Sequence, residues 1–359
     1  MDQTNRIRQY AQSAEEAGLH YISDEAAGYR RKRWGRGFTY LLDDGSHLKD
    51  EAERQRIREL AIPPDWTEVW IAADPDAHLQ ATGRDAAGRK QYLYHPRWQE
   101  VRGQVKFDHM LQLAGRLPDI RERLDSDMRS PKVTRERVLA VLVALLDQTL
   151  LRIGHEEYLR DHGSHGLSTL YTKHVELTTT SVTFGFVGKS AVEHLVVVRD
   201  RRLARQVGRC SETPGERVFT YLEDGQPRQV SAADVNDYLE EITGRSFTTK
   251  DFRTWGATRA VTEHLLELGP PVDEKNRTDK LREAIRSTAE LLGNTEAVCR
   301  DYYLHPAVIE AYQNGRFWPR FEAFEAMRGS KEAPEHGLSE VEEFVVWLAE
   351  REGPAGGLD

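Results

Sequence analysis

The sequence predicts an α+β chain: a small, mostly β N-terminal domain, then a larger, mainly α-helical domain that holds a three-strand meander. Three observations carry this. Before about residue 98, short β-like runs alternate with turn signals at Asp43-Asp44-Gly45 and Pro63-Pro64. Beyond it, long apolar segments of helical period with recognisable caps take over. Within that helical part, residues 171–198 break into three short alternating runs.

Taken in order, residues 1–28 read as an acidic helical extension and 29–98 as the β-rich domain. Strands are expected at 38–42 and 68–73, with a further extended piece in Tyr92-Leu-Tyr-His-Pro96. The domain boundary falls at roughly 95–105, and the larger domain occupies 99–328. It opens with helices at 101–114 and 120–128. Pro131 precedes a long helix, 133–151, whose Val138, Leu139, Leu142, Val143, Leu145, Leu146 and Leu150 cover more than one face. Such a helix belongs at the centre of a core.

The meander pairs Val175/Leu177, Val182/Phe184/Phe186 and residues 195–198, with Gly188-Lys189 as a turn. Ser231 opens an S-x-x-D cap on a helix closed by Gly244. Thr249 opens helix 250–268, stopped by Gly269-Pro270-Pro271. Thr278 opens 279–292, stopped by Gly293. Thr295 caps a short helix, and Pro306 sits in the first turn of another. Residues 329–359 read as an acidic tail, a linker at 331–337 followed by one amphipathic helix at 341–350.

Composition narrows the function. No apolar run approaches the roughly 18 residues a membrane span needs, and the N-terminus lacks the apolar centre of a secretory signal, so a cytoplasmic protein with no membrane partner is expected. Two cysteines, Cys210 and Cys299, stand far apart and outside any CxxC pair, which argues against a disulfide framework or a cysteine zinc site. The net charge of −9 lies in the ends. Residues 320–359 carry ten acids against four bases, and residues 1–28 five against two. The body between is neutral, and it contains Tyr29-Arg-Arg-Lys-Arg-Trp-Gly-Arg-Gly37, five cations and two aromatics in nine residues. Cations interleaved with aromatics can meet phosphates and bases together. Arg30, Arg31, Arg33, Trp34 and Arg36 are therefore candidate DNA contacts, against the alternative of a solvated basic loop.

Common catalytic kits are missing: no GxxxxGK[ST], no GxGxxG, no HExxH. The carboxylate clusters Asp43-Asp44 and Asp74/Asp76 sit at turns, where Asp is favoured for backbone reasons. Other residues stand out. Arg152 follows the most apolar helix, in Leu-Arg-Ile-Gly. Lys173 lies on the first meander strand, in Tyr-Thr-Lys-His. Arg253 occupies the first turn of a helix, where a cation opposes the dipole and calls for another partner. Tyr302 and Tyr303 close a short helix that follows Asn294.

In this order the fragments resemble the poxvirus-type and bacterial type IB DNA topoisomerases, over about residues 27–317. Leu-Arg152-Ile-Gly resembles the segment of the family's first active-site arginine. Gly166-Leu-Ser-Thr-Leu-Tyr-Thr-Lys173-His resembles its lysine hairpin. Lys250-Asp-Phe-Arg253-Thr-Trp-Gly resembles its second-arginine motif. Leu-Gly-Asn294-Thr, followed nine residues later by Tyr303, resembles its nucleophile segment. Asn294 stands where viral and eukaryotic members carry His, as in the bacterial branch. Tyr302 stands where a small residue is usual.

The resemblance implies a fold shared with tyrosine recombinases and a phosphoryl transfer on double-stranded DNA. Tyr303 would be the nucleophile, and Arg152, Arg253 and Asn294 would stabilise the transition state. Lys173 would be the general acid, assisted by Lys250. It also implies supercoil relaxation through a 3′-phosphotyrosine, with no metal, ATP or other cofactor. The implied enzyme is a monomer at the nucleoid, with its N-terminal module clamping the duplex. A tyrosine recombinase is the nearest alternative, but those usually present His-x-x-Arg where this chain has Lys250-Asp-Phe-Arg253. A non-catalytic DNA-binding protein is the other.

Overall fold

The computed structural model describes residues 3–352. It divides into two compact units, 1–107 and 108–359.

In the first unit, α1 (Gln3–Glu16) precedes β1 (Gly28–Trp34) and β2 (Gly37–Leu41). Then come α2 (Glu51–Glu59), β3 (Thr67–Ala72), β4 (Leu79–Arg84) and β5 (Lys90–Tyr94). The strands form one antiparallel sheet in the order β2-β1-β3-β4-β5. Asp50 starts α2 by accepting hydrogen bonds from Ala52 and Glu53 N–H, the usual cap chemistry. Ile57 of that helix packs with Leu48, Val69, Ile71 and Ala81, and Tyr29 and Tyr40 close the cluster. The basic stretch is thus a strand rather than a loop. Period-two alternation sends Arg31 to the side of Tyr29 and leaves Arg30, Lys32 and Trp34 on the opposite face.

Helix α3 (Pro96–Ala114) carries the chain past the division. The second unit continues with α4 (Leu117–Met128), α5 (Arg135–Thr149) and α6 (Glu156–His162). The meander is β6 (Val175–Leu177), β7 (Val182–Val187) and β8 (Glu193–Val198). Then follow α7 (Arg201–Ser211), the hairpin β9 (Thr220–Glu223) and β10 (Gln226–Gln229), α8 (Ala232–Thr243), α9 (Thr249–Glu267) and α10 (Glu274–Leu292). The series closes with α11 (Glu296–Tyr303), α12 (Pro306–Gln313), α13 (Phe317–Arg328) and α14 (Glu340–Glu352). An antiparallel N-terminal sheet followed by a mainly helical unit is the fold class expected from sequence.

Helix α5 is buried along nearly its whole length, as its apolar pattern required. Two caps shift. Thr248, one residue early, starts α9 in a box with Asp251, its N–H and hydroxyl both donating to Asp251 Oδ2 at 2.8 Å. Asp273, not Thr278, starts α10 by accepting from Asn276 N–H. The hairpin β9-β10 was not expected, although its two-residue turn Asp224-Gly225, at φ of 51° and 76°, is a strong hairpin signal.

The stretch expected as an acidic tail departs most. Helix α14 is built into the core, where Phe344 and Leu348 join Val261, Leu265, Ile285, Val308 and Phe317. Its Glu342 is buried and receives both Arg121 Nη atoms, at 2.7 and 2.9 Å. Arg259 (3.4 Å) and Trp255 Nε1 (3.4 Å) also reach it. Acidic composition suggested solvation, but these cations and the apolar face fold the helix in. Residues 353–359 of the expected tail lie outside the described residues.

Candidate active site

Helix α5 ends at Leu150, whose φ of 56° turns the chain sharply into the extended Leu151-Arg152-Ile153. Arg152 is then held by backbone pairing: its carbonyl accepts from Leu167 N–H at 2.9 Å, and that of Ile153 from Ser168 N–H at 2.7 Å. Gly166 permits this approach, since a Cβ there would lie 2.6 Å from the Arg152 oxygen.

Arg253 lies on α9, 5% exposed. Gly256 brings this helix against the end of α5, for a Cβ at Gly256 would lie 2.1 Å from Leu150 Cδ2. The guanidinium consequently reaches the Leu150 carbonyl through Nη1, and the Leu292 carbonyl through Nη2 at 2.9 Å. These carbonyls belong to the C-terminal ends of α5 and α10, so the cation meets the negative ends of two helices. That is the partner its place near the start of α9 called for. Arg152 donates through Nη1 to the same Leu292 oxygen (3.4 Å) and through Nη2 to Asn294 Oδ1 (2.9 Å). Among the described residues, neither guanidinium forms an ion pair with a carboxylate, so both charges remain available to an anion.

Gly293, at φ 62°, ends α10 and sets Asn294 beside Arg152. Thr295 caps α11 and Tyr303 closes it, its carbonyl accepting from the Thr258 hydroxyl at 3.1 Å. The Arg253 guanidinium lies 5.6 Å from the Tyr303 ring centre. Burial pushes the Tyr303 hydroxyl up, but Arg253 and Arg152, with the nearby Asn294 amide, outweigh it and hold the phenol below its ordinary value. Burial, and then repulsion by Arg152, presses Arg253 down in turn. The Asn294 amide nitrogen is buried and makes no hydrogen bond of full geometry among the described residues. Tyr302 is 63% exposed.

Arg152, Arg253 and Tyr303 line one cavity of about 310 Å³ together with Lys250, Lys189, Tyr158 and His165. Sequence reasoning missed Lys189. It sits at the tip between β7 and β8, where Ser190 and Ala191 take φ of 62° and 57°. Lys173 does not line the cavity. It occupies a 3₁₀ turn, Thr172–His174, ahead of β6 rather than on a strand, and its exposed ammonium lies 5.5 Å from the Tyr171 ring centre. Of the two meander lysines, Lys189 and not the expected Lys173 therefore lies with Arg152, Arg253 and Tyr303. The available signal was Gly188-Lys189 at a meander turn, a position that projects a side chain beyond the sheet.

The basic strand also divides. Arg31 donates to the carbonyls of Ile62 (3.2 Å), Pro63 (2.9 Å) and Trp66 (2.7 Å) and stacks over Phe38. It ties β1 to the loop before β3, so unlike its expected companions its donors are already engaged by backbone carbonyls. Arg30, Arg33, Trp34 and Arg36 are exposed.

Comparison with known proteins bears on this arrangement. Residues 95–317, well over half the chain, match the family described as eukaryotic DNA topoisomerase I, catalytic core. The chain belongs to the type IB DNA topoisomerase family. It is a type I topoisomerase, an isomerase that acts on DNA, and the recombinase alternative gives way. Residues 37–85 match the N-terminal domain of bacterial DNA topoisomerase IB. The topoisomerase is 32% identical over 295 residues to the DNA topoisomerase 1B of Acanthamoeba polyphaga mimivirus, covering 80% of this chain and 88% of that one. It is 22% identical over 287 residues to the DNA topoisomerase 1B of vaccinia virus strain Copenhagen, covering 77% and 88%. With the DNA topoisomerase 1 of Caenorhabditis elegans it shares 24% over 238 residues, 60% of this chain and 28% of that one. Among the described residues no helix is long and apolar enough to cross a membrane.

Proposed function

We propose that this topoisomerase relaxes positive and negative supercoils without ATP or metal, by transient cleavage of one strand through a 3′-phosphotyrosine at Tyr303. The observation that carries the reading is the pairing of a phenol held below its ordinary value with two guanidiniums seated on neutral carbonyls, in one cavity. Tyr303 Oη attacks phosphorus and its proton passes to solvent. The bond to the 5′-oxygen breaks, and that oxygen takes a proton from Lys189. The free strand rotates, and the 5′-hydroxyl attacks the phosphotyrosine to restore the backbone.

Two phosphate oxygens gain charge in the pentacoordinate transition state. Arg152 and Arg253 each offer a fork of N–H donors to them, and the Asn294 amide offers one more. Because helix-end carbonyls hold the guanidiniums, orienting them costs none of their charge. Lys189 and Lys250 are the ammonium groups of the cavity. Lys189, on a projecting hairpin tip, is the proton donor, and Lys250, in the first turn of α9, assists. The exposed face of β1, with Arg30, Lys32 and Trp34, contacts duplex DNA; Arg33 and Arg36 add charge at its end. The enzyme acts as a monomer at the nucleoid.

Plasmid relaxation with EDTA and no ATP tests the reading. Both supercoil signs should relax. A requirement for a divalent metal or ATP would overturn it.

A further inference from the structure

We infer that His194 is a positioning residue that sets the Lys189 hairpin against the Gly293-Asn294 turn. The inference rests on the reading of Lys189 as proton donor.

His194 lies on β8 opposite Phe186 of β7. The two rings stack at 5.0 Å with 27° between their planes, which fixes the imidazole plane. One edge of it meets Gly188: a Cβ there would lie 2.7 Å from His194 Cδ2 and 2.8 Å from Nε2. Gly188 has a φ of −98°, which any residue adopts. Its lack of a side chain answers to the ring. The other edge meets Gly293, where a Cβ would lie 2.9 Å from Cε1.

The next residues in the chain are Lys189 and Asn294. One flat side chain therefore spaces the proton donor's hairpin from the turn that presents the amide. Burial, and then Arg152 and Arg253, hold the imidazole below its ordinary value. The wedge thus resists becoming a third cation beside the arginines. Its removal would leave the hairpin without a stop on this side, and misplacing a reacting group by about 1 Å can cost about 10²-fold in rate.

The test is single-turnover cleavage of an ordinary strand and of one with a 5′-bridging sulfur, whose leaving group needs little protonation. His194→Ala should lose about 10- to 10²-fold on the ordinary strand and recover most of it on the sulfur strand. His194→Phe, which keeps a flat neutral ring, should retain most of the ordinary rate. If His194→Ala does not fold, as thermal melting would show, His194→Gln takes its place. A wild-type rate for His194→Ala, an equal loss on both strands, or a His194→Phe as slow as His194→Ala overturns the inference. Lys189→Ala runs alongside. If sulfur rescues Lys189→Ala but not His194→Ala, the inference falls and the donor assignment stands. If sulfur rescues neither, the donor assignment falls and takes the inference with it.

Discussion

Arg152 and Arg253 share one acceptor: both guanidiniums donate to the Leu292 carbonyl, at 3.4 and 2.9 Å. Two like charges are thus brought together by the end of a helix rather than by a carboxylate. Helix-end carbonyls offset their repulsion only in part, and the remaining preference for an anion favours a phosphate gaining charge over one in its ground state.

Replacing either arginine with Lys should therefore be severe. A single ammonium lacks the fork that holds a carbonyl and a phosphate oxygen at once. Arg253→Lys and Arg152→Lys should each lower the cleavage rate by about 10² or more while DNA affinity changes little. Single-turnover cleavage with parallel binding measurements checks this.

The two candidate lysines should separate cleanly. Lys189→Ala should slow cleavage of an ordinary strand by about 10²–10⁴, the usual worth of a general acid, and a 5′-bridging sulfur should rescue it. Lys173→Ala, outside the cavity, should cleave at close to the wild-type rate. A large, sulfur-rescued defect in Lys173→Ala would return the role to that residue.

The basic strand should split by face. Arg31→Ala orphans three loop carbonyls and should cost about 1–3 kcal/mol of stability, read as a lower melting temperature. Arg30→Ala with Lys32→Ala should leave melting unchanged but weaken DNA binding and flatten its salt dependence, because fewer counterions are released. An unchanged salt slope would show that this face does not meet DNA.

Glu342 should make stability depend on acid pH. Burial raises its carboxyl, but Arg121 outweighs it, and the folded value is about 2 against an ordinary 4.5. A depressed carboxylate stabilises the fold above its unfolded value, and that contribution is lost as pH falls from about 4.5 toward 2. Glu342→Gln leaves Arg121 short of a partner and should cost about 3–5 kcal/mol at neutral pH. Melting curves of the two proteins should converge as the pH approaches 2.

Much of the site was legible because its residues defy local reasons. An arginine near the start of α9 has no helical purpose, whereas the close approach to α5 that Gly256 allows, three residues on, emerged only with the structure. Lys189 was harder. Two lysines flank the same meander, and only the hairpin's projection separates them. Arg31 was counted with its neighbours because a charge run conceals alternation; once the run is a strand, period two divides it. Helix α14 was hidden by its acids. Sequence alone does not say that Arg121 and Arg259, far away in the chain, converge on Glu342.

The measurement that bears most directly on the account is the identity of the residue covalently joined to DNA. Tyr302 and Tyr303 are neighbours on α11, turned from each other by about 100°, so only one can lie in line with phosphorus. Tyr303 faces Arg253, whereas Tyr302 is 63% exposed. The adduct formed on a suicide substrate would be digested and the modified peptide mapped. The account predicts a phosphotyrosine at Tyr303, its loss in Tyr303→Phe with DNA binding retained, and near-normal adduct formation by Tyr302→Phe. A phosphotyrosine at Tyr302, or an adduct formed by Tyr303→Phe, would contradict it.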